Sequence, residues 1–386
     1  MQPPQLYAQE DAVLLLLVQW HRFPHHTARL RTLLSGTLDW PALLAQARLH
    51  SVLPLLTAQL QRLNYWHVPA TVIAELQRST RARCIHNMLL AQELRRIVRQ
   101  LMTAGIAVLP LKGVALAEAL YGDCTLRDCR DIDILVPKAQ IPHAVRLLEP
   151  LGYQTDGPWE QWTASLVNFE IALLRMSDGL RYDVDLHWGL LGGDPRYARA
   201  MEALWAACRP ASVLGVDAWV MSPEWTLMAL ILHAARSQWQ GLKWLVDIQE
   251  ICWTWSLDWS TVWTIARQWG WEEIVQVTID TCQSLWELPP ALSAGRHPPP
   301  TWLPRFPAPP LQQQRLKLYI LCLLFPQWRV RLLYVLRVLS TPTSHDYRWR
   351  PLPVVLFPLY IVLRPLRLVV GWMQTGLRTL RRWRLA

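Results

Sequence analysis

The chain has 386 residues, 52% of them hydrophobic, and a formal net charge of +10. That is enough apolar material for two or three packed regions, and it excludes a disordered chain. The seven cysteines (Cys84, Cys124, Cys129, Cys208, Cys252, Cys282 and Cys322) are odd in number and form no CxxC pair, which excludes a disulfide framework or a zinc ribbon and predicts free thiols in the cytoplasm.

The charge is unevenly spread. From Leu311 to Ala386 there are 13 basic residues and a single acid, Asp346, whereas the preceding 310 residues hold 26 basic and 28 acidic ones. A body so close to neutral lacks the electrostatic footprint of a protein that tracks nucleic acid, so a small-molecule or protein substrate is expected instead. Glu10 and Asp11 precede the short apolar run Val13 to Val18, without a basic leader, so no secretory signal is expected.

Residues 1–103 read as a helical region, with apolar residues at 3-4 spacing in "LDWPALLAQARLHSVLPLLTAQL" and in the long stretch from Thr71, stopped by Gly105. The period then changes. "IAVLPLKG" is a short strand ending at Gly113, "VALAEALYG" a helix, "DIDILV" a second strand, "KAQIPHAVRLLEPLGY" an amphipathic helix closing at Gly152, and "LRYDVDLHW" a further strand. This order predicts an α+β fold, with a small mixed-sheet core over 104–221 flanked by N-terminal and C-terminal helical regions. Helices return over 222–295, with Ser222 as the N-cap and Pro223 behind it. Residues 296–310 are a proline-dense linker, and 311–386 form a basic, apolar helical tail.

The chemistry concentrates around "RDIDILVPK". Asp131 and Asp133 are two apart on a strand and so share a face, where like charges repel and raise one another's pKa. A divalent metal shared with substrate phosphates removes that repulsion, since Mg²⁺ takes oxygen ligands. A third carboxylate is available on "DVDLHW", with Asp185 preferred to Asp183. Lys112 and Gly113 sit at a strand-to-helix turn, where free backbone amides cradle a phosphate, Gly113 allows close approach and Lys112 adds a point charge.

"LKGVALAEALYGDCTLRDCRDIDILV", with "LEPLGY" and "DVDLHW" after it, resembles the bacterial uncharacterised nucleotidyltransferase family, a branch of the DNA polymerase beta-like nucleotidyltransferase superfamily. The likeness covers most of the chain, from "LDWPALLAQARLHSVLPLL" through "HAARSQWQGLKWLVDI" to "LPVVLFPLYIVLRPLRLV". It implies transfer of a nucleoside monophosphate from an NTP, ATP for example, to a hydroxyl, with two Mg²⁺ ions and release of pyrophosphate. It also implies roles: Asp131, Asp133 and Asp185 as catalytic metal ligands, and Lys112, Gly113, Arg127 and Arg130 as nucleotide contacts. His187, His233, Lys243 and Asp247 would serve the acceptor or support these residues. The superfamily's usual Gly-Ser turn is Lys112-Gly113 here, so a serine contact to phosphate is absent.

Several residues carry a plainer alternative. Arg130 either meets a phosphate or salt-bridges the adjacent acids, Arg127 either meets a phosphate or supports the fold, and His187 is either packed or a base. Lys243 and Asp247, four apart on one helix, pair on its face or place the acceptor. Eight tryptophans between Trp239 and Trp271 could stack a base, yet at helical spacing most belong to a core. At the C-terminus, Val369, Trp372, Met373, Leu377, Leu380 and Trp383 gather on one side of a helical wheel and Arg378, Arg381 and Arg382 on the other. That pattern suits peripheral contact with an anionic membrane, or docking on the protein's own body. The alternative function is a catalytically inactive nucleotide-binding or membrane-surface accessory protein of a biosynthetic assembly.

Overall fold

The computed structural model describes residues 9–155, 169–191, 196–289, 328–342 and 344–368, with Ile320 and Cys322. The proline-dense linker at 296–310 and the amphipathic helix expected over 369–383 lie outside the described residues. Four short helices open the described chain: α1 (Gln9–Leu17), α2 (Phe23–Leu34), α3 (Trp40–Leu49) and α4 (Leu53–Arg62). The stretch from Leu38 to Leu60 is two helices, broken where Ser51 takes a φ of 56°. Asp39 caps α3 by accepting the amide of Ala42 at 2.9 Å, with Pro41 fixing the first turn. Helix α5 (Ala70–Thr103) follows, ending one residue before the turn at Gly105.

The sheet is four-stranded and mixed. Strands β1 (Leu109–Pro110), β2 (Ile132–Leu135), β3 (Glu170–Ser177) and β4 (Leu180–His187) lie in the order β1-β2-β4-β3, with β2 and β4 parallel and the other pairs antiparallel. Helix α6 (Val114–Tyr121) joins β1 to β2, and α7 (Ile141–Leu148) follows β2. Asp178 and Gly179, with φ of 51° and 75°, turn β3 into β4, a two-residue loop that matches the twist of the hairpin. After α8 (Arg196–Ala206), Leu214 and Gly215 do the same for the hairpin β5 (Arg209–Val213) and β6 (Val216–Val220).

Alternation along β2 and β4 divides the sheet. Ile132, Ile134, Tyr182, Val184 and Leu186 face Leu90, Leu94, Ile97, Val98 and Leu101 of α5 and make one core. Asp133, Asp185 and His187 therefore project from the opposite face. Over that face lie the helices α9 (Pro223–Arg236), α10 (Leu242–Thr254), α11 (Trp259–Trp269) and α12 (Glu272–Leu285), which share a second core with α1 to α4 and α6. Ser222 caps α9 through the amide of Trp225, as its Ser-Pro start predicts. Trp239, Trp269 and Trp271 are buried in this core and Trp244, Trp255, Trp259 and Trp263 pack against it, so most of the tryptophan cluster is structural.

One buried ion pair ties the two cores together. Arg127, in the loop that leads to β2, places Nε 2.9 Å from Oδ2 of Asp247 on α10, and the Tyr121 hydroxyl donates to Oδ1 of the same carboxylate at 2.8 Å. Burial works against the guanidinium charge and Asp247 outweighs it, so the Arg127 pKa is raised. Asn87 of α5 holds the same loop by donating to the carbonyls of Cys124 and Arg127 at 2.8 and 2.6 Å. Removing one partner leaves a charge buried and unpaired, so Asp247→Ala is expected to cost about 3–5 kcal/mol in urea unfolding. The double substitution Arg127→Met/Asp247→Leu should recover most of that loss, and a wild-type midpoint for Asp247→Ala would contradict this role.

Candidate active site

The site starts from a backbone requirement. Gly113 has φ 70° and ψ −137°, a conformation that residues with a Cβ rarely adopt, and it starts α6 straight after Lys112. The first amides of α6 have no acceptor within the helix, so they point with the positive helix end into the space beside β2. An ideal Cβ on Gly113 would lie 3.5 Å from the carbonyl oxygen of Asp131, so turn and strand end are in close contact.

Asp133 is the centre. It lies on an inner strand, is 2% exposed, and is opposite Asp185 in the parallel register between β2 and β4. Lys112 Nζ is 2.8 Å from its Oδ2 and His187 Nε2 is 3.0 Å from its Oδ1. Burial alone would raise the Asp133 pKa, but Lys112 and His187 together outweigh it and hold the carboxyl well below the usual carboxylate range. His187 reaches further, with Nδ1 3.1 Å from Oε2 of Glu170 on β3. Among the described residues, Asp185 forms no ion pair of its own. Burial first, and then the negative charge of Asp133, push its pKa up to about 7.

The ligand atoms of Asp133, Asp185 and His187 lie within 4.8 Å of one another, a grouping able to hold a metal ion. Two carboxylates and an imidazole are an acceptable donor set for Mg²⁺ or Mn²⁺ through the oxygens, with the nitrogen better suited to the latter. Asp131 stands outside this tight group, at the start of β2, yet is near enough to add to the rise at Asp185. At Asp185, the charge of Asp133 across the strand pair counts for more than that of Asp131.

The remaining expected residues fall into two places. His233, on α9, lines a small cleft with Lys112, His187, Leu190 and Arg236. Burial and the nearby Lys112 push its imidazole well below the ordinary histidine range, so it is neutral. Arg127, Lys243 and Asp247 lie instead beneath the loop before β2. Lys243 donates to the Asp128 carbonyl at 3.0 Å, and burial together with Arg127 pushes its pKa down to about 8. Asp247 pairs with Arg127 rather than with Lys243 among the described residues. Arg130 is exposed, and no ion pair joins it to the adjacent acids among the described residues. Asp183 is held by Arg181, with Oδ1 2.7 Å from Nη2, away from the metal-ligating group.

Two residues that sequence reasoning did not single out belong here. Glu170 joins through the pairing Glu170↔His187 between β3 and β4. Arg236, three residues after His233, lines the cleft, stacks over Phe169 with its guanidinium carbon 4.3 Å from the ring centroid, and donates to the Leu190 carbonyl. The i, i+3 spacing of His233 and Arg236 on a helix was a signal for the second; nothing local to Glu170 marks the first.

The Asp185 shift has a consequence for stability. Its folded pKa of about 7 stands above the ordinary unfolded carboxylate value, so in metal-free protein this group lowers stability progressively as pH rises through that interval. The loss amounts to roughly 2–4 kcal/mol by pH 8. Metal-free melts from pH 5 to pH 8 should show that decline in the wild type and a flatter profile in Asp185→Asn; parallel profiles would contradict the shift.

A family model described as uncharacterised nucleotidyltransferase matches residues 36–287, which takes in the Lys112-Gly113 turn, both acidic strands and helices α9 to α12. No curated protein matches the chain. Among solved structures, the chain is similar to an antigenic nucleotidyltransferase-like protein from Paracoccidioides brasiliensis, at 20% identity and a TM-score of 0.29 over 44% of this chain and 73% of that one. With the family match spanning well over half of its length, the chain belongs to the uncharacterised nucleotidyltransferase family.

Proposed function

We propose that the protein transfers a nucleoside monophosphate from an NTP to a hydroxyl of a small-molecule or protein acceptor. The acceptor hydroxyl loses its proton, its oxygen bonds to the α-phosphorus, and the bond to the β-phosphate breaks to release pyrophosphate. The observation that carries this reading is the grouping of Asp133, Asp185 and His187 on one sheet face beside the Lys112-Gly113 turn.

Asp133 and Asp185, with Asp131 at the start of the strand, would hold two Mg²⁺ ions, which supply neutralisation of the triphosphate charge and a more acidic attacking hydroxyl. The other steps belong to the chain's own groups. The amides at the start of α6 donate to the phosphate tail, and Gly113 lets it approach without a side chain between. Lys112 turns from Asp133 toward phosphate oxygens, a short movement for an ammonium on a flexible stem. His187, braced by Glu170, fixes the orientation of Asp133. Arg236, which lines the cleft, and the exposed Arg130 are cations available to the tail, while Arg127 acts indirectly by holding the loop before β2. Catalysis by such an arrangement is mainly positioning and charge neutralisation.

A second reading rests on the Lys112–Asp133 pair at 2.8 Å, which already neutralises the buried carboxylate without metal. It makes the protein a nucleotide binder without turnover. Titration calorimetry of non-hydrolysable ATP and CTP analogues separates the two. Under the catalytic reading, binding requires Mg²⁺ and weakens at least about tenfold in Asp185→Asn, which deletes a charge without unpairing Lys112. Binding indifferent to both Mg²⁺ and that substitution would favour the second reading, and no binding of any NTP would sink both.

A further inference from the structure

Among the described residues, exposed large apolar side chains concentrate late in the sequence, far along the chain from the acidic site. Of the 18 large hydrophobic side chains exposed among the described residues, 12 fall between Trp328 and Leu366, the other six being scattered over residues 49–180. On helix α13 (Trp328–Ser340), Trp328, Leu332 and Leu336 recur at i, i+4 and i+8, so they form a stripe on one side. After α14 (Ser344–Trp349) the chain rises through a 3₁₀ segment, Val354–Leu359, into a helix over 360–368. There Val355 is 86% exposed and Val362 64%.

The part of this apolar surface over 354–366 is anchored by buried contacts. Asp346 is buried, with Oδ2 2.8 Å from Nη1 of Arg364 and Oδ1 2.5 Å from Nε of Arg367. Tyr360 donates its hydroxyl to the Arg350 carbonyl and accepts the Leu352 amide at 2.9 Å. Phe357 is buried between Tyr347 and Tyr360, with ring centroids 6.0 and 5.9 Å away. Side chains that could have gone inward are therefore fixed, and Val354, Val355, Leu359 and Val362 are left facing out. Large apolar patches on a folded surface mark an interaction site.

Charge identifies the partner. Residues 328–368 contain seven arginines and a single acid, Asp346, whose charge is spent on two of them. An exposed tryptophan stands at the start of α13 and another at the end of α14, with the Arg329 guanidinium 5.5 Å from the Trp328 ring centroid. Apolar side chains, flanking tryptophans and an excess of arginines in the sequence, with Arg329 and Arg350 exposed, together match the interface of an anionic bilayer, where arginines meet headgroups and tryptophans sit at their level. No helix among the described residues is long and apolar enough to cross a membrane, so contact is with one leaflet.

We propose that residues 328–366 form a docking surface for an anionic lipid membrane, with Val355, Leu359 and Val362 entering the headgroup and acyl boundary. The proposal is independent of the reaction assigned to the acidic site. It places the membrane contact in a folded segment ahead of the amphipathic stretch at 369–383.

Flotation of the full-length protein with vesicles tests it, using phosphatidylcholine alone or mixed with phosphatidylglycerol. All variants keep residues 369–386, so that stretch cannot account for a difference between them. Wild type should float with the anionic vesicles, lose flotation at high salt, and stay behind with neutral ones. Val355→Asp/Val362→Asp should lower the bound fraction about tenfold, and Arg329→Glu/Arg350→Glu should lower it on anionic vesicles, both with an unchanged melting midpoint. No flotation of the wild type, or equal flotation of wild type and Val355→Asp/Val362→Asp, would overturn the proposal. So would a wild-type dimer in sedimentation that this variant converts to monomer without any lipid binding, because the face would then be an interface between two copies.

Discussion

The buried carboxylate of Asp133 is the constraint around which the site is arranged. A carboxylate on an inner strand, 2% exposed, is tolerated only with charge and hydrogen bonds close by. Lys112 and His187 supply them from β1's end and from β4, and Glu170 in turn braces His187 from β3. Every strand of the sheet thus contributes to, or directly precedes, a group in contact with this chain of charges. Asp185 is the less compensated acid: it lies opposite Asp133 without an ion pair of its own among the described residues, and burial and the Asp133 charge raise its pKa to about 7. A site with one well-compensated acid and one poorly compensated acid is short of positive charge, and a divalent cation would supply it.

The surrounding architecture serves to keep this sheet face at a fixed distance from the helices above it. Helix α5 closes the apolar face, and α9 brings His233 and Arg236 over the acidic one. The Arg127–Asp247 pair, with Tyr121 and Asn87, anchors the loop that leads into β2 against α10 and α5. The N-terminal helices and the helices after residue 222 pack into one core although residues 63–222 separate them in the sequence, roughly a domain's length. Helix α5 spans both cores: Val72 and Leu76 belong to the helical one, Leu90 to Leu101 to that of the sheet.

Much of this was legible in the sequence because it is local. Alternation of acids with Ile and Val marked β2 and β4, Lys112-Gly113 marked the strand-to-helix turn, and Ser222-Pro223 marked a helix start. What was not legible depends on register between distant segments. Glu170 reaches His187 only because β3 pairs antiparallel to β4, and Arg127 is buried by a partner 120 residues away. The "SDGL" and "VLGV" turns carried positive-φ signals for two hairpins, yet the strands they join are mixed in character and do not show simple alternation. The cross-strand pairing of Asp133 with Asp185 likewise adds a conflict between like charges that the spacing of Asp131 and Asp133 alone does not show.

A divalent ion that arrives with a nucleotide would meet this shortage of positive charge. Electron paramagnetic resonance of Mn²⁺, titrated into the protein with and without a non-hydrolysable NTP analogue, measures that directly. Protein-bound Mn²⁺ that appears with the nucleotide and is lost in Asp185→Asn is the predicted result. Spectra of free and nucleotide-bound Mn²⁺ alone, unchanged by the protein, would contradict it.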